Sequence, residues 1–460
     1  MQFLKTIGQK TQLTGYGLLN FVHAGTQSEK QMMAVSQNAN FNTAAVNSNK
    51  NPGKNFEVID TIRFIAMCSI VWGHCNLGSE TTIYHSSTDI ILQSIVLQMG
   101  KIGTIIFFLI SGFLIGPKIQ SYTPLLFLKL RFKSTILPWL AFVVIFTLLN
   151  LVNSLPLNTA IHHGDLKQIL LTNAEVAKNS IFYFAYWFIV VFVISAVVLI
   201  TFKRYANTVW MGLVLGILTL FYSVNLHYGW ISVHHTKAFL GYAFFMWLGI
   251  QISTHYQKFM RLLNNISWPL FIGGFVISMF IACSEGFYLS QTGCADPYAS
   301  IRLSNIINSF IAFGCLFKLG KVSWINSLDP RRLVYGVYLL HSVLIYEMIN
   351  FYTKYLNNKY VVHSSVTLLF AEVVAFVSIL STSIILVNAF SGKYTAAFYR
   401  ELDSSLDKAR QLAAQVAFSL NPANYINRLY VQGIYRVSRF ALLIMLPCLS
   451  CFYFLSRLFV

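Results

Sequence analysis

Residues 59–74 read Ile59-Asp60-Thr61-Ile62-Arg63-Phe64-Ile65-Ala66-Met67-Cys68-Ser69-Ile70-Val71-Trp72-Gly73-His74. The apolar run between Arg63 and His74 lies in a stretch, 58–77, long enough to cross a bilayer as a helix. An acid, an arginine and a histidine in that stretch are costly in hydrocarbon, and an ionisable residue in such a place points to function. A helix here sets Arg63 and His74 about three turns apart, roughly 16 Å, near one face and at different depths. That spacing suits a long ligand with a charged end at Arg63 and chemistry at His74.

The rest of the chain repeats the apolar theme. Of its 460 residues 56% are hydrophobic and only 10% charged, where a soluble domain carries about 25% charged residues. Mean hydropathy is +0.61. Apolar runs recur near 58–77, 98–117, 135–154, 181–201, 208–224, 237–253, 267–284, 303–319, 333–352 and 365–389. The expected fold is therefore all-α, a polytopic transmembrane bundle of about ten spans, with 439–460 as a possible eleventh. Short alternation of apolar and polar residues is missing, which argues against an outer-membrane barrel.

Four regions are expected. Residues 1–55 form a polar tail and 56–395 the membrane domain. Residues 396–436 form an amphipathic or cytoplasmic segment, and 437–460 an extra transmembrane or interfacial helix. The apolar patch Leu13–Val22 is too interrupted for a signal peptide.

The net charge of +18 would suggest nucleic acid in a soluble protein. Here the basic residues gather in alternate loops, so topology and anionic headgroups account for them and nucleic acid is not expected as a partner. Lys30, Lys50, Lys54, Lys118, Lys129, Arg131, Lys133, Lys203, Arg204, Lys258, Arg261, Lys318, Lys321, Arg331 and Arg332 share one side. That bias predicts a cytoplasmic N-terminus, in a plasma membrane (a bacterial inner membrane) or an endomembrane. Arg63 then lies toward the cytoplasm and His74 toward the far side, where His162, His163, His227, His234, His235 and His363 also collect. The seven cysteines show no metal-site spacing. Cys283 and Cys294 flank one loop and are equally compatible with a disulfide or with two free thiols.

Several side chains carry candidate chemistry. His74 is a potential general base, able to take a hydroxyl proton near neutral pH and return it to a leaving group. Arg63 can hold a phosphate or carboxylate bidentately, with Asp60 one turn earlier on the same face. Lys129, Arg131 and Lys133 can cradle the phosphates of a nucleotide-like donor, or simply express the topological bias. Ser111, in Phe107-Phe108-Leu109-Ile110-Ser111-Gly112-Phe113, reads first as a small residue for close helix packing. Trp187 reads as an interfacial anchor. His341, in Tyr338-Leu339-Leu340-His341-Ser342, lies inside an apolar run, as do Glu347 and Glu372, and takes a supporting role.

Taken together, these elements resemble the acyltransferase-3 family of multi-pass membrane acyltransferases. The resemblance rests on Arg63 and His74 with Asp60 before them. It extends to the Ser111-Gly112-Phe113 segment and to Tyr338-Leu339 with His341. It covers roughly 56–395. The Gly73-His74 ending and Pro297-Tyr298-Ala299-Ser300 are more similar to the nose-resistant-to-fluoxetine-like branch, the bacterial O-acetylases being the other large branch. The chain departs from the pattern at Lys129-Arg131-Lys133, where paired arginines are usual, and at Asn388-Ala389-Phe390, where an acid-Ala-Pro-Phe element is usual.

The resemblance implies His74 as catalytic base and Arg63 as its companion. It also implies acyl-CoA, typically acetyl-CoA, as donor substrate, with no permanently bound cofactor. The expected activity is O-acyl transfer to a carbohydrate or lipid hydroxyl, with membrane lipids as surroundings. The alternative is a non-catalytic lipid or small-molecule transporter on the same fold.

Overall fold

The computed structural model describes residues 53–76, 87–161, 165–182, 186–351 and 365–390. The tail before 53, the expected segments 396–436 and 437–460, and His162, His163 and His363 lie outside the described residues.

Each apolar run becomes a helix, because a backbone without water must satisfy its polar groups within the segment. In chain order these helices are α1 Gly53–His74, α2 Ser87–Ile115, α3 Pro124–Arg131, α4 Leu137–Ile161, α5 Leu166–Phe182, α6 Trp187–Thr201, α7 Val209–Tyr228, α8 Phe239–Thr254, α9 Tyr256–Asn265, α10 Trp268–Gln291, α11 Leu303–Leu319, α12 Ser323–Asn326, α13 Pro330–Phe351 and α14 Ser365–Phe390. The described residues contain no strand.

Local chemistry sets the ends. Pro124 opens α3, while the Thr123 hydroxyl accepts from the Leu126 N–H at 3.2 Å. Gly229, at φ 64°, closes α7 in the left-handed conformation. Between α3 and α4 the chain makes one π-helical turn, Phe132–Ile136.

Among the described residues six helices, or segments that contain them, are long and apolar enough to cross a membrane: Thr88–Ser121, Pro124–Ser154, Val209–Tyr228, Trp268–Gln291, Pro330–Ile349 and Leu368–Ala389. A seventh results if α5 and α6, bent by 54°, count as one broken span. The difference from ten has physical causes. Helix α1 carries Glu57, Asp60 and Arg63, and α8 and α11 are only 16 and 17 residues long.

Helices cross where glycines remove side chains. A Cβ on Gly112 of α2 would sit 1.8 Å from the Met246 carbonyl oxygen of α8, and one on Gly249 2.1 Å from the Leu109 carbonyl. Helices α1 and α2 approach in the same way, since a Cβ on Gly100 would lie 2.4 Å from the Gly73 Cα. Lipid offers no hydrophobic gain for bringing helices together, so such contacts rest on dispersion and hydrogen bonds. Here the Trp72 indole N–H donates to the Val96 carbonyl at 2.7 Å, and the Ser69 hydroxyl donates to the Met99 carbonyl at 3.1 Å. Gly73 of the Gly-His pair thus serves packing and seats the His74 end of α1 on α2.

Candidate functional site

The Arg63 end of α1 is fixed by polar contacts to the α11–α13 connection. The Thr61 hydroxyl donates to the Asn326 side-chain oxygen at 3.0 Å and accepts from the Val322 N–H at 3.1 Å. The Asn326 amide donates to the Glu57 carbonyl at 3.1 Å. Asp60, 7% exposed, accepts from two arginines: Arg63 Nη1 at 3.0 Å and Arg331 Nε at 2.8 Å. A buried carboxylate needs such pairing to remain charged, and it holds the two guanidinium groups at fixed positions.

Beside this trio lies a cavity of about 390 Å³. Four arginines line it, Arg63, Arg131, Arg331 and Arg332, while Phe107, Ile110, Leu114, Phe188 and Phe192 supply an apolar wall. Ser111, Ser134, Thr135, Tyr335 and Tyr338 add hydroxyl groups. The Tyr335 hydroxyl donates to the Thr135 carbonyl at 2.5 Å, tying α13 to the π-turn beside Arg131. Guanidinium groups and an apolar wall in one cavity suit an anionic group attached to an uncharged arm.

The histidines lie at the other end of α1. The rings of His74 and His341 are 5.4 Å apart, and His341 is fully buried. His341 Nδ1–H donates to the Val337 carbonyl at 3.2 Å, because a carbonyl can only accept. That leaves Nε2 as an acceptor, which the Ser342 hydroxyl approaches at 3.4 Å. His74 is also within electrostatic reach of Lys101 and His235. His235 stacks on Trp187 with ring centres 4.3 Å apart. Its two nitrogens meet the Tyr242 hydroxyl at 3.1 Å and the Asp296 carboxylate at 3.4 Å. Burial pushes the His235 imidazole down from its ordinary value, while Asp296 opposes that shift.

Asp60 and Arg63 are brought together near the middle of α1, and His74 at its C-terminal end meets His341 of α13. Ser111 and Arg131 line the cavity; Lys129 and Lys133, on either side of Arg131, are not among its lining residues. Trp187 departs from its expected anchoring role. It is 6% exposed, because His235 and Tyr242 cover its ring. Cys283 and Cys294 are both free thiols. Glu347 accepts from the Asn153 amide at 2.9 Å, and Glu372 is buried at 3% exposure.

Sequence reasoning assigned Arg331 and Arg332 only to loop topology, although they begin α13 and face the cavity. The overlooked signal is the spacing of Arg331, Tyr335 and Tyr338, a single helical face at i, i+4 and i+7. His235 with Asp296 was missed because the two lie in loops far apart in the chain.

A family model described as an acyltransferase domain matches residues 56–388, which contain both ends of this site. No curated protein and no solved structure matches the chain.

Proposed function

The chain belongs to the acyltransferase-3 family, a multi-pass membrane acyltransferase by that membership, and from this premise we propose that it carries an acyl group, acetyl first, from a coenzyme A thioester to a hydroxyl of a carbohydrate or lipid. The observation that carries this reading is the cavity whose lining combines four arginines with an apolar wall. The donor's phosphates pair with Arg63, Arg131, Arg331 and Arg332, and its uncharged pantetheine arm follows the apolar wall past Ser111.

At the other end His74 takes the proton of the acceptor hydroxyl as the oxygen attacks the thioester carbonyl. A C–O bond forms, the tetrahedral intermediate collapses, and the C–S bond breaks. The leaving thiolate takes the proton back from His74. His341 packs beside His74, with its own tautomer fixed by Val337, and acts as a positioning group. On this reading the Arg63 end faces the cytoplasm, where coenzyme A thioesters are made, and the acceptor arrives from the far side or from the bilayer.

The test is incubation of membranes with labelled acetyl-CoA, comparing wild type with Arg63→Ala and His74→Ala in folded, purified protein. The reading expects a labelled acceptor only in the wild type. Full transfer by His74→Ala removes the mechanism. Uptake of a labelled lipid into vesicles, with no acyl transfer in any variant, moves the assignment to a transporter.

A further inference from the structure

The lining of the donor cavity does not include the histidine pair. Tyr338 lines the cavity and is 5% exposed, whereas His341 and His74 are not among the cavity-lining residues. The Tyr338 ring packs against Phe188, at 5.9 Å, and against His341, at 5.7 Å. Tyr335 stacks along it at 6.4 Å, and Tyr186 meets it edge-on at 6.5 Å. The Ile189 backbone engages its hydroxyl. The ring is thus held on several sides, and it touches both a cavity-lining side chain, Phe188, and the buried His341.

We propose that Tyr338 is the partition between the donor cavity and the histidine pair, and so a specificity-determining residue that sets how long an acyl chain can reach the chemistry. This rests on reading the cavity as the acyl-CoA seat. A short acyl group ends at the ring, and a small rotation of the ring then brings its carbonyl to the histidines. Each added methylene must be housed on the cavity side, where the ring, Phe188 and Phe107 close the trough. A close-fitting apolar pocket discriminates one methylene by about 10–200-fold.

The first experiment measures transfer from acetyl-, butyryl- and hexanoyl-CoA by wild type, Tyr338→Phe, Tyr338→Leu and Tyr338→Ala. Tyr338→Ala is expected to move the hexanoyl-to-acetyl ratio of kcat/KM by at least about 10-fold toward the longer chain. Tyr338→Leu should move it part of the way, which keeps the test alive if the alanine variant does not fold. Tyr338→Phe, which keeps the ring, should stay within about 3-fold of wild type. Ratios that do not move in the alanine and leucine variants overturn the partition. Absence of transfer from any acyl-CoA by wild type overturns the donor reading instead.

A second experiment needs no donor. A charged thiosulfonate reagent is applied to Ser111→Cys and to His341→Cys, and modification at each position is read by peptide mass spectrometry. The position-111 thiol is expected to react in either background. The position-341 thiol is expected to react only when Tyr338→Ala is also present. Equal reaction of both thiols with Tyr338 intact overturns the proposal.

Discussion

The Arg63 and His74 positions of α1 solve opposite problems. At the Arg63 end, like charges are gathered: Arg63 and Arg331 share Asp60, and with Arg131 and Arg332 they line an open cavity. At the His74 end, imidazoles are packed together: His74 lies beside His341, with His235 and Lys101 close by. The first arrangement gathers positive charge of a kind that suits an anion. The second stores imidazoles whose value is that they can change charge. One helix holds both because three turns of apolar residues insulate them.

The largest way to break this comparison is His74→Ala. It should lower kcat by about 10²–10⁴-fold, the usual worth of a general base, and leave the affinity for coenzyme A within about 3-fold. A matching loss of affinity would show that the ends are not separate. Next comes Arg331→Ala, which should weaken coenzyme A binding by about 10–100-fold, as expected when a charge-assisted contact is lost. Titration calorimetry checks it, and a fall in kcat alone would put Arg331 on the chemical side.

A smaller effect sharpens the comparison at the histidine end. His235 has a depressed value in the folded protein, so the unfolded chain binds more protons below its ordinary value. Stability is then greatest above about pH 6.5 and falls as the pH drops below it, by no more than about 1.4 kcal/mol per pH unit. Thermal unfolding in detergent between pH 8 and pH 5 should show a slope of this sign, and His235→Gln should reduce it. Asp296, Lys101, His234, His74 and Tyr242 are charged or titratable groups that face it.

The smallest effect divides the basic segment itself. Lys129→Ala and Lys133→Ala should change coenzyme A affinity by less than about 3-fold, while Arg131→Ala should cost about 10-fold. Equal effects from all three would mean that general positive charge, rather than the cavity, attracts the donor.

The helices were legible because a span writes its length directly into the chain. The run expected at 303–319 and the helix Leu303–Leu319 coincide, since Arg302 and Gly320 bracket the apolar residues. The Asp60–Arg63 pairing was legible because three residues of helix is a contact distance. Side chains meeting across the bundle were not legible. Nothing near Asp60 names Arg331, 271 positions away. Trp187 looks like an interfacial residue until the loop carrying His235 is folded over it. The Ser111-Gly112 pair was read as a packing element, and Gly112 has that role against Met246 while Ser111 faces the cavity.

The π-turn at Phe132–Ile136 gives the basic segment a gauge of its own. A turn closed i to i+5 holds one residue more than the α-turn it replaces. Deleting one residue there would leave a continuous α-helix and nearly the same composition. It would also rotate α3 by about 100° relative to α4 and carry Arg131 off the cavity. A pattern search that counts residues back from Pro138-Trp139 in α-helical steps therefore lands on the wrong cation. Between these two helices, alignment is a question of angle before it is one of spacing.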